Sequence, residues 1–214
     1  MKKNLTELVF ILDRSGSMSG LESDTIGGYN SMIEKQKSEE GEANVTTVLF
    51  DDKAEMLNKR VPIQDIHKMT DKEYYVRGCT ALLDAIGQTV HYMGNVQKYA
   101  KDEERADKVL FVITTDGYEN SSKEYSYDTI KKMIKRQRES YKWEFIFLGA
   151  NIDAVNTAEQ FGIDKDFASN YVADARGTEL NYQAMNRAIS SCRSEGKIDI
   201  SWKEDVETDF QKRR

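Results

Sequence analysis

Apolar residues arrive along this chain as short unbroken blocks and then as spaced stripes, and the two patterns alternate. Leu5 to Leu12 is a nearly continuous β-compatible run, the pattern of a strand covered on both faces. It breaks at Asp13-Arg14-Ser15-Gly16-Ser17, after which Ile26, Tyr29, Met32, Ile33 and Gln36 recur at helical spacing, with Asp24 placed as a capping acid. Asn44 to Phe50 predicts a second strand, and Asp51-Asp52-Lys53 a turn whose adjacent acids read as solvated. Ala54 to Ile63 predicts a hairpin return, and Pro62, the only proline, suits an edge strand because it donates nothing to a ladder. A mixed connector from Asp65 to Tyr75 leads through Arg77-Gly78-Cys79-Thr80 into a stripe of Leu82, Leu83, Ile86, Val90 and Met93, a second helix.

The same grammar continues to residue 193. Lys108 to Thr114 is a strand ending abruptly in Thr115-Asp116-Gly117, with a helix over Tyr127 to Ser140. Trp143 to Leu148 precedes a helix starting near Asp153, and Phe167 to Val172 precedes one from Thr178 to Arg193. Strands alternating with helices predict an α/β fold: a doubly wound, Rossmann-like, mostly parallel sheet with helices on both faces and one antiparallel edge strand. A chain of 214 residues suits one such domain, expected over 1–195. Residues 196–214 form a charged tail whose Ile198, Ile200, Trp202, Val206 and Phe210 either dock on the domain or form an exposed partner segment.

Composition narrows the function. With 39% hydrophobic and 32% charged residues the chain is an ordinary globular one. Its net charge of −6 and its lysines and arginines dispersed among acids argue against nucleic acid as a partner. No stretch approaches the ~18 apolar residues of a membrane span, and the N-terminal apolar run reads as a strand and not a signal segment, so the expected location is the cytoplasm. Cys79 and Cys192 are the only cysteines and read as unpaired thiols.

Small oxygen-bearing side chains collect in three loops on one side of the predicted sheet: Asp13, Ser15 and Ser17; Thr80; and Asp116. Ligands of open α/β sheets bind outside the carboxyl ends of the strands, where strand order reverses. The set suits Mg²⁺, a hard cation that takes oxygen ligands and often keeps several waters beside one or two carboxylates. Serine and threonine at these places also cap helices, but capping does not account for both aspartates.

Asp13-Arg14-Ser15-Gly16-Ser17 resembles the Asp-x-Ser-x-Ser motif of von Willebrand factor A domains, the metal ion-dependent adhesion site, and it stands in the usual position after the first strand. Thr80 looks like the family's threonine ligand and Asp116 like its final aspartate, and the resemblance covers residues 5 to 195. It implies that Ser15, Ser17 and Thr80 bind the ion directly, that Asp13 and Asp116 bind it directly or through water, and that one open position accepts an acidic side chain of a partner. The implied protein is a stand-alone, bacterial-type recognition module that is not an enzyme. Its implied partner carries an exposed Asp or Glu, and an ATPase of the chelatase or MoxR type is one candidate. Tyr118, Glu119, Asn120 and Arg77 would form the partner-binding rim. Mg²⁺ is favoured by ligand hardness and family habit, with Mn²⁺ and Ca²⁺ as alternatives.

Two other functions stay open. A Mg²⁺-dependent hydrolase or phosphotransfer enzyme would use the same ion, yet the chain has no phosphate loop, no nucleophile elbow, no second acid at position 15 to make a phosphoryl-transfer Asp-x-Asp with Asp13, and only His67 and His91 as near-neutral bases, neither in a metal loop. A structural subunit of an ATPase assembly would make its contact through the tail.

Overall fold

In the computed structural model, which describes residues 2–213, the blocks and stripes become six strands and six α-helices among the described residues. In chain order these are β1 Lys2–Asp13, α1 Glu22–Lys37, β2 Glu42–Phe50, β3 Ala54–Pro62, α2 Leu82–Tyr99, β4 Ala106–Thr115, α3 Tyr127–Tyr141, β5 Glu144–Gly149, α4 Ala154–Gln160, β6 Ala168–Asn170, α5 Ala175–Glu195 and α6 Glu204–Arg213. They form one sheet in the order β3-β2-β1-β4-β5-β6. Every pairing is parallel except β2 with β3, so the sheet is doubly wound with one antiparallel edge strand, and that strand ends at Pro62.

The central strand explains both layers. Successive side chains of a strand point to opposite faces. Leu8, Phe10 and Leu12 therefore enter one core, shared with Tyr29, Met32 and Ile33 of α1 and Met185, Ala188 and Ile189 of α5. Val9 and Ile11 enter the other, shared with Leu82, Ile86 and Val90 of α2, Ile130 and Ile134 of α3, and Ala154 and Ala158 of α4. Apolar residues facing both ways leave no solvated face, which is why the run lacks alternation. After β1 the chain builds β2 and β3 on one side and β4, β5 and β6 on the other. The strand order thus reverses between β1 and β4, the place where open α/β sheets bind ligands, and Asp13 and Asp116 stand at the carboxyl ends of these two strands.

Several ends differ from the sequence expectations, and three of the differences have a local cause. Asp24 does not cap α1; it lies inside the first turn, where its charge complements the helix dipole, and Leu21 occupies the cap position without a side-chain bond. β6 is shorter than the run Phe167 to Val172, because Lys165–Phe167 coil into a 3-10 turn and the strand pairs with β5 through three residues. α5 begins at Ala175, earlier than Thr178, because Asp174 caps it by accepting from the Gly177 amide at 2.7 Å. Gly177 has no alternative there, since a Cβ would collide with the Val172 carbonyl. Beyond Gly196, which closes α5 at φ 76°, Ile198, Trp202 and Val206 are buried in the same core as Leu8 and Phe10. Trp202 donates its Nε1–H to the Asp166 carbonyl at 3.0 Å.

Candidate metal centre

Asp13 is the last residue of β1, and Thr115 and Asp116 stand at the equivalent point of β4. Asp13 is wholly buried and held from two sides: its Oδ1 accepts from the Ser15 amide at 2.7 Å and its Oδ2 from the Thr115 hydroxyl at 2.5 Å. The Tyr74 hydroxyl donates to the Asp13 carbonyl at 2.5 Å. Gly16–Met18 coil into a 3-10 turn, which brings Ser15 and Ser17 to the same side, their hydroxyls 2.9 Å apart. From the loop before α2, Thr80 donates to the Ser15 hydroxyl at 3.0 Å, a contact across 65 residues of sequence. Gly117 completes the group: a Cβ there would stand 2.9 Å from the Ser17 hydroxyl and 3.2 Å from that of Thr80. The three loops therefore converge and bring the five candidate residues together.

Burial raises the pKa of Asp13 to about 6; the bonds from Thr115 and Ser15 oppose the shift, and the charge of Asp116 adds to it. Burial also raises that of Asp116, with the nearby Ser17 hydroxyl opposing. Both carboxylate oxygens of Asp116 are buried without a hydrogen-bond partner. A buried carboxylate is stable only when donors or a cation replace its water, and here the Ser17 hydroxyl is the side-chain donor nearby, without a full hydrogen bond to either oxygen. Three hydroxyls and two carboxylates offer hard oxygen donors with a total charge of −2, and among the described residues no third acid, histidine or cysteine joins them. Such a set fits one divalent cation of the Mg²⁺ or Mn²⁺ kind, with room left by Gly117.

The four rim candidates divide. Tyr118 is 63% exposed beside Asp116 and is free to meet another molecule. Glu119 is turned inward, accepting from the amides of Leu83, Ser121 and Ser122 at 2.8, 2.9 and 2.7 Å. Asn120 grips Thr80, accepting from its amide at 2.9 Å and donating its own amide to the Thr80 carbonyl at 3.1 Å. Arg77 is half-exposed, yet its Nε donates to Asp51 at 2.8 Å and its Nη1 to the Tyr75 hydroxyl at 2.8 Å.

Sequence reasoning missed the residues that hold the loops. Asp84, at the start of α2, accepts from the amides of Lys123, Glu124 and Tyr125 and so fastens the segment after Gly117. Asp51 is not the solvated turn acid its neighbourhood suggests; it is 3% exposed and ion-paired with Arg14 and Arg77. Its partners lie 37 and 26 residues away, so local sequence carries no sign of them. His67 is exposed in the connector before α2, and His91 lines a groove with Ala106 and Trp143 at the opposite end of the sheet, so neither histidine stands in the centre.

No protein-family model and no curated protein sequence matches this chain. Solved structures do match. Proximal thread matrix protein 1 from the mussel byssus shares 13% identity at a TM-score of 0.60, over 85% of this chain and 45% of that one. The same mussel protein has been solved with zinc in its MIDAS motif. A von Willebrand factor type A protein from Catenulispora acidiphila shares 14% identity at a TM-score of 0.59, over 87% of this chain and 42% of that one. Manganese-loaded TRAP protein of Plasmodium vivax shares 17% identity at a TM-score of 0.57, over 85% of this chain and 73% of that one. The chain thus spans less than half the length of the first two of these proteins. At such identities the likeness is one of architecture, and together with the strand order and the three converging loops it gives the conclusion that this chain has the von Willebrand factor A fold.

Proposed function

We propose that the chain is a metal-dependent protein-recognition module, in which Asp13, Ser15, Ser17, Thr80 and Asp116 hold one divalent cation, Mg²⁺ by ligand hardness, and a partner's Asp or Glu side chain completes its coordination. The observation that carries this reading is Asp116, a buried carboxylate with no full hydrogen bond to either oxygen, beside the Ser17 hydroxyl, which Ser15 links to that of Thr80. Zinc and manganese at the corresponding motif or in the corresponding protein among the structural neighbours support a divalent ion. The bound ion would supply a positive, oxygen-seeking point at the protein surface. The chain's own part is orientation: Thr115 and the Ser15 amide fix Asp13, Asn120 fixes Thr80, and Tyr118 presents an exposed aromatic ring at the edge, a residue type favoured at interfaces.

Recognition is favoured over catalysis because, among the described residues, no histidine, cysteine pair or further acid stands where it would activate a water or a nucleophile at this centre. Among the described residues no helix is long and apolar enough to cross a membrane. An ATPase of the chelatase or MoxR type, carrying an exposed acidic residue, is the partner we propose to test first.

Titration calorimetry of metal-stripped protein with Mg²⁺ and with Mn²⁺ tests the reading. One-site binding is expected, abolished in Asp13→Ala and in Asp116→Ala. If the wild type takes up neither ion, even with acetate added to stand in for a partner's carboxylate, the metal-bridged mechanism is wrong.

A further inference from the structure

The turn between β2 and β3 touches none of the five candidate ligands through its side chains, yet both metal loops that flank it are tied to it. Arg14, the second residue of the first loop, is 2% exposed, a rare position for a guanidinium unless it is paired. Its Nε donates to Asp51 at 2.9 Å and one terminal nitrogen to Glu55 at 2.6 Å. The other donates to the Glu73 carbonyl at 3.3 Å, and the guanidinium lies over the Tyr75 ring at 5.5 Å. The Arg14 amide donates to the Phe50 carbonyl at 2.8 Å. The first loop is thereby fastened to the end of β2 by backbone and side chain together.

The second loop is fastened to the same turn. The Asp51 carbonyl accepts from the Ala81 amide at 2.9 Å, and its carboxylate accepts from Arg77 at 2.8 Å. Asp52 Oδ1 accepts from the Cys79 amide at 2.9 Å. The residues so gripped, Cys79 and Ala81, are the two neighbours of Thr80. Gly78, at φ 67°, lets the chain pass close under Asp52, where a Cβ would collide with the carboxylate. Direct bonds join the loops as well: the Arg77 amide donates to the Arg14 carbonyl at 2.9 Å and the Gly16 amide to the Gly78 carbonyl at 3.1 Å.

We infer that Asp51 and Asp52 are positioning residues of the metal centre: the turn that carries them sets the separation of Thr80 from Ser15 and Ser17, and so the affinity of the site, without contributing a ligand. This inference rests on the metal-centre reading above. The geometry gives the division of labour. Asp51 balances the buried charge of Arg14 and anchors the first loop, while Asp52, exposed itself, holds the backbone on the Cys79 side of Thr80 through one charged bond. Removing groups that orient metal ligands typically weakens metal binding roughly 10- to 100-fold.

Asp52 is the residue to test, because its exposed side chain can be changed with little effect on folding, whereas loss of Asp51 strands a buried Arg14. Metal-stripped wild type, Asp52→Ala and Asp52→Asn are titrated with Mn²⁺, and the thermal midpoint of each metal-free protein is measured alongside. A thiol titration in the native state supplies the folding control, since Cys79 is exposed and Cys192 is buried. The expected result is Mn²⁺ binding about tenfold weaker in Asp52→Ala and near wild type in Asp52→Asn, whose amide oxygen still accepts from Cys79. One reactive thiol per chain and an unchanged midpoint are expected throughout. Equal affinity in wild type and Asp52→Ala would overturn the inference while leaving the metal centre standing. Equal weakening in both variants would also overturn it, because loss of a negative charge, and not of an acceptor, would then be responsible. Absence of binding in the wild type would remove the metal-centre reading itself and this inference with it.

Discussion

Gly117 stands where the proposed cation site has least space to spare. Its backbone is not in the left-handed region, so alanine is conformationally acceptable there, but the added methyl would sit 2.9 Å from the Ser17 hydroxyl. Gly117→Ala is therefore expected to remove metal uptake in calorimetry while leaving far-ultraviolet circular dichroism unchanged. Asp13 carries a second expectation. Its pKa in the metal-free fold, about 6, lies above its ordinary value of 3.8, so between those values the folded state binds more protons than the unfolded one. By linkage this group's contribution to stability is present at low pH and declines as pH rises through that window. Metal-free Asp13→Asn, which cannot ionise, should gain thermal midpoint relative to wild type as pH goes from 4 to 7; a constant difference would contradict the burial argument. At Cys192, burial pushes the thiol up to about 12, so at pH 8 it stays un-ionised and should react only on unfolding.

At the scale of elements, periodicity carried most of the information, and failed where an end is decided by a distant partner. The run Leu5 to Leu12 is legible because from Leu8 onward both faces of the strand are filled by apolar side chains, and the stripe from Leu82 to Met93 because one helix face meets the sheet. β6 is shorter than its apolar run because Lys165–Phe167 turn ahead of it and β5 ends at Gly149, opposite Asn170. The last segment is the clearest contrast. Its apolar residues are visible in sequence, but whether they dock is a question of available surface, and Trp202 lies 1% exposed against the α5 side of the sheet. Trp202→Ala is expected to lower unfolding free energy by about 3–5 kcal/mol, the usual loss for truncating a large buried aromatic, as read by urea denaturation. A change under about 1 kcal/mol, the size typical of surface positions, would mean that the segment is not part of the core.

Over the whole molecule, the charges that matter are few and inward. A cation bound only by the folded state stabilises it by mass action, about 2.7 kcal/mol when its concentration is a hundredfold above Kd, so saturating Mg²⁺ should raise the thermal midpoint of wild type and leave that of Asp116→Ala unmoved. The chain's hydrophobic pattern by itself determined the α/β architecture, because strand and helix periods are local and each must bury its apolar side. The motif residues by themselves placed Asp13, Ser15, Ser17, Thr80 and Asp116 in loops that follow a strand or enter a helix on one side of a doubly wound sheet. Only the tertiary structure decided that Glu119 and Asn120 fasten loops instead of facing a partner, that Arg14 is buried, and that Asp51 and Asp52 grip the chain on either side of Thr80. The reason is physical: a polar side chain has several partners of nearly equal intrinsic strength, water among them, and which one it takes depends on what the fold brings within about 3 Å, a distance that sequence separation does not encode.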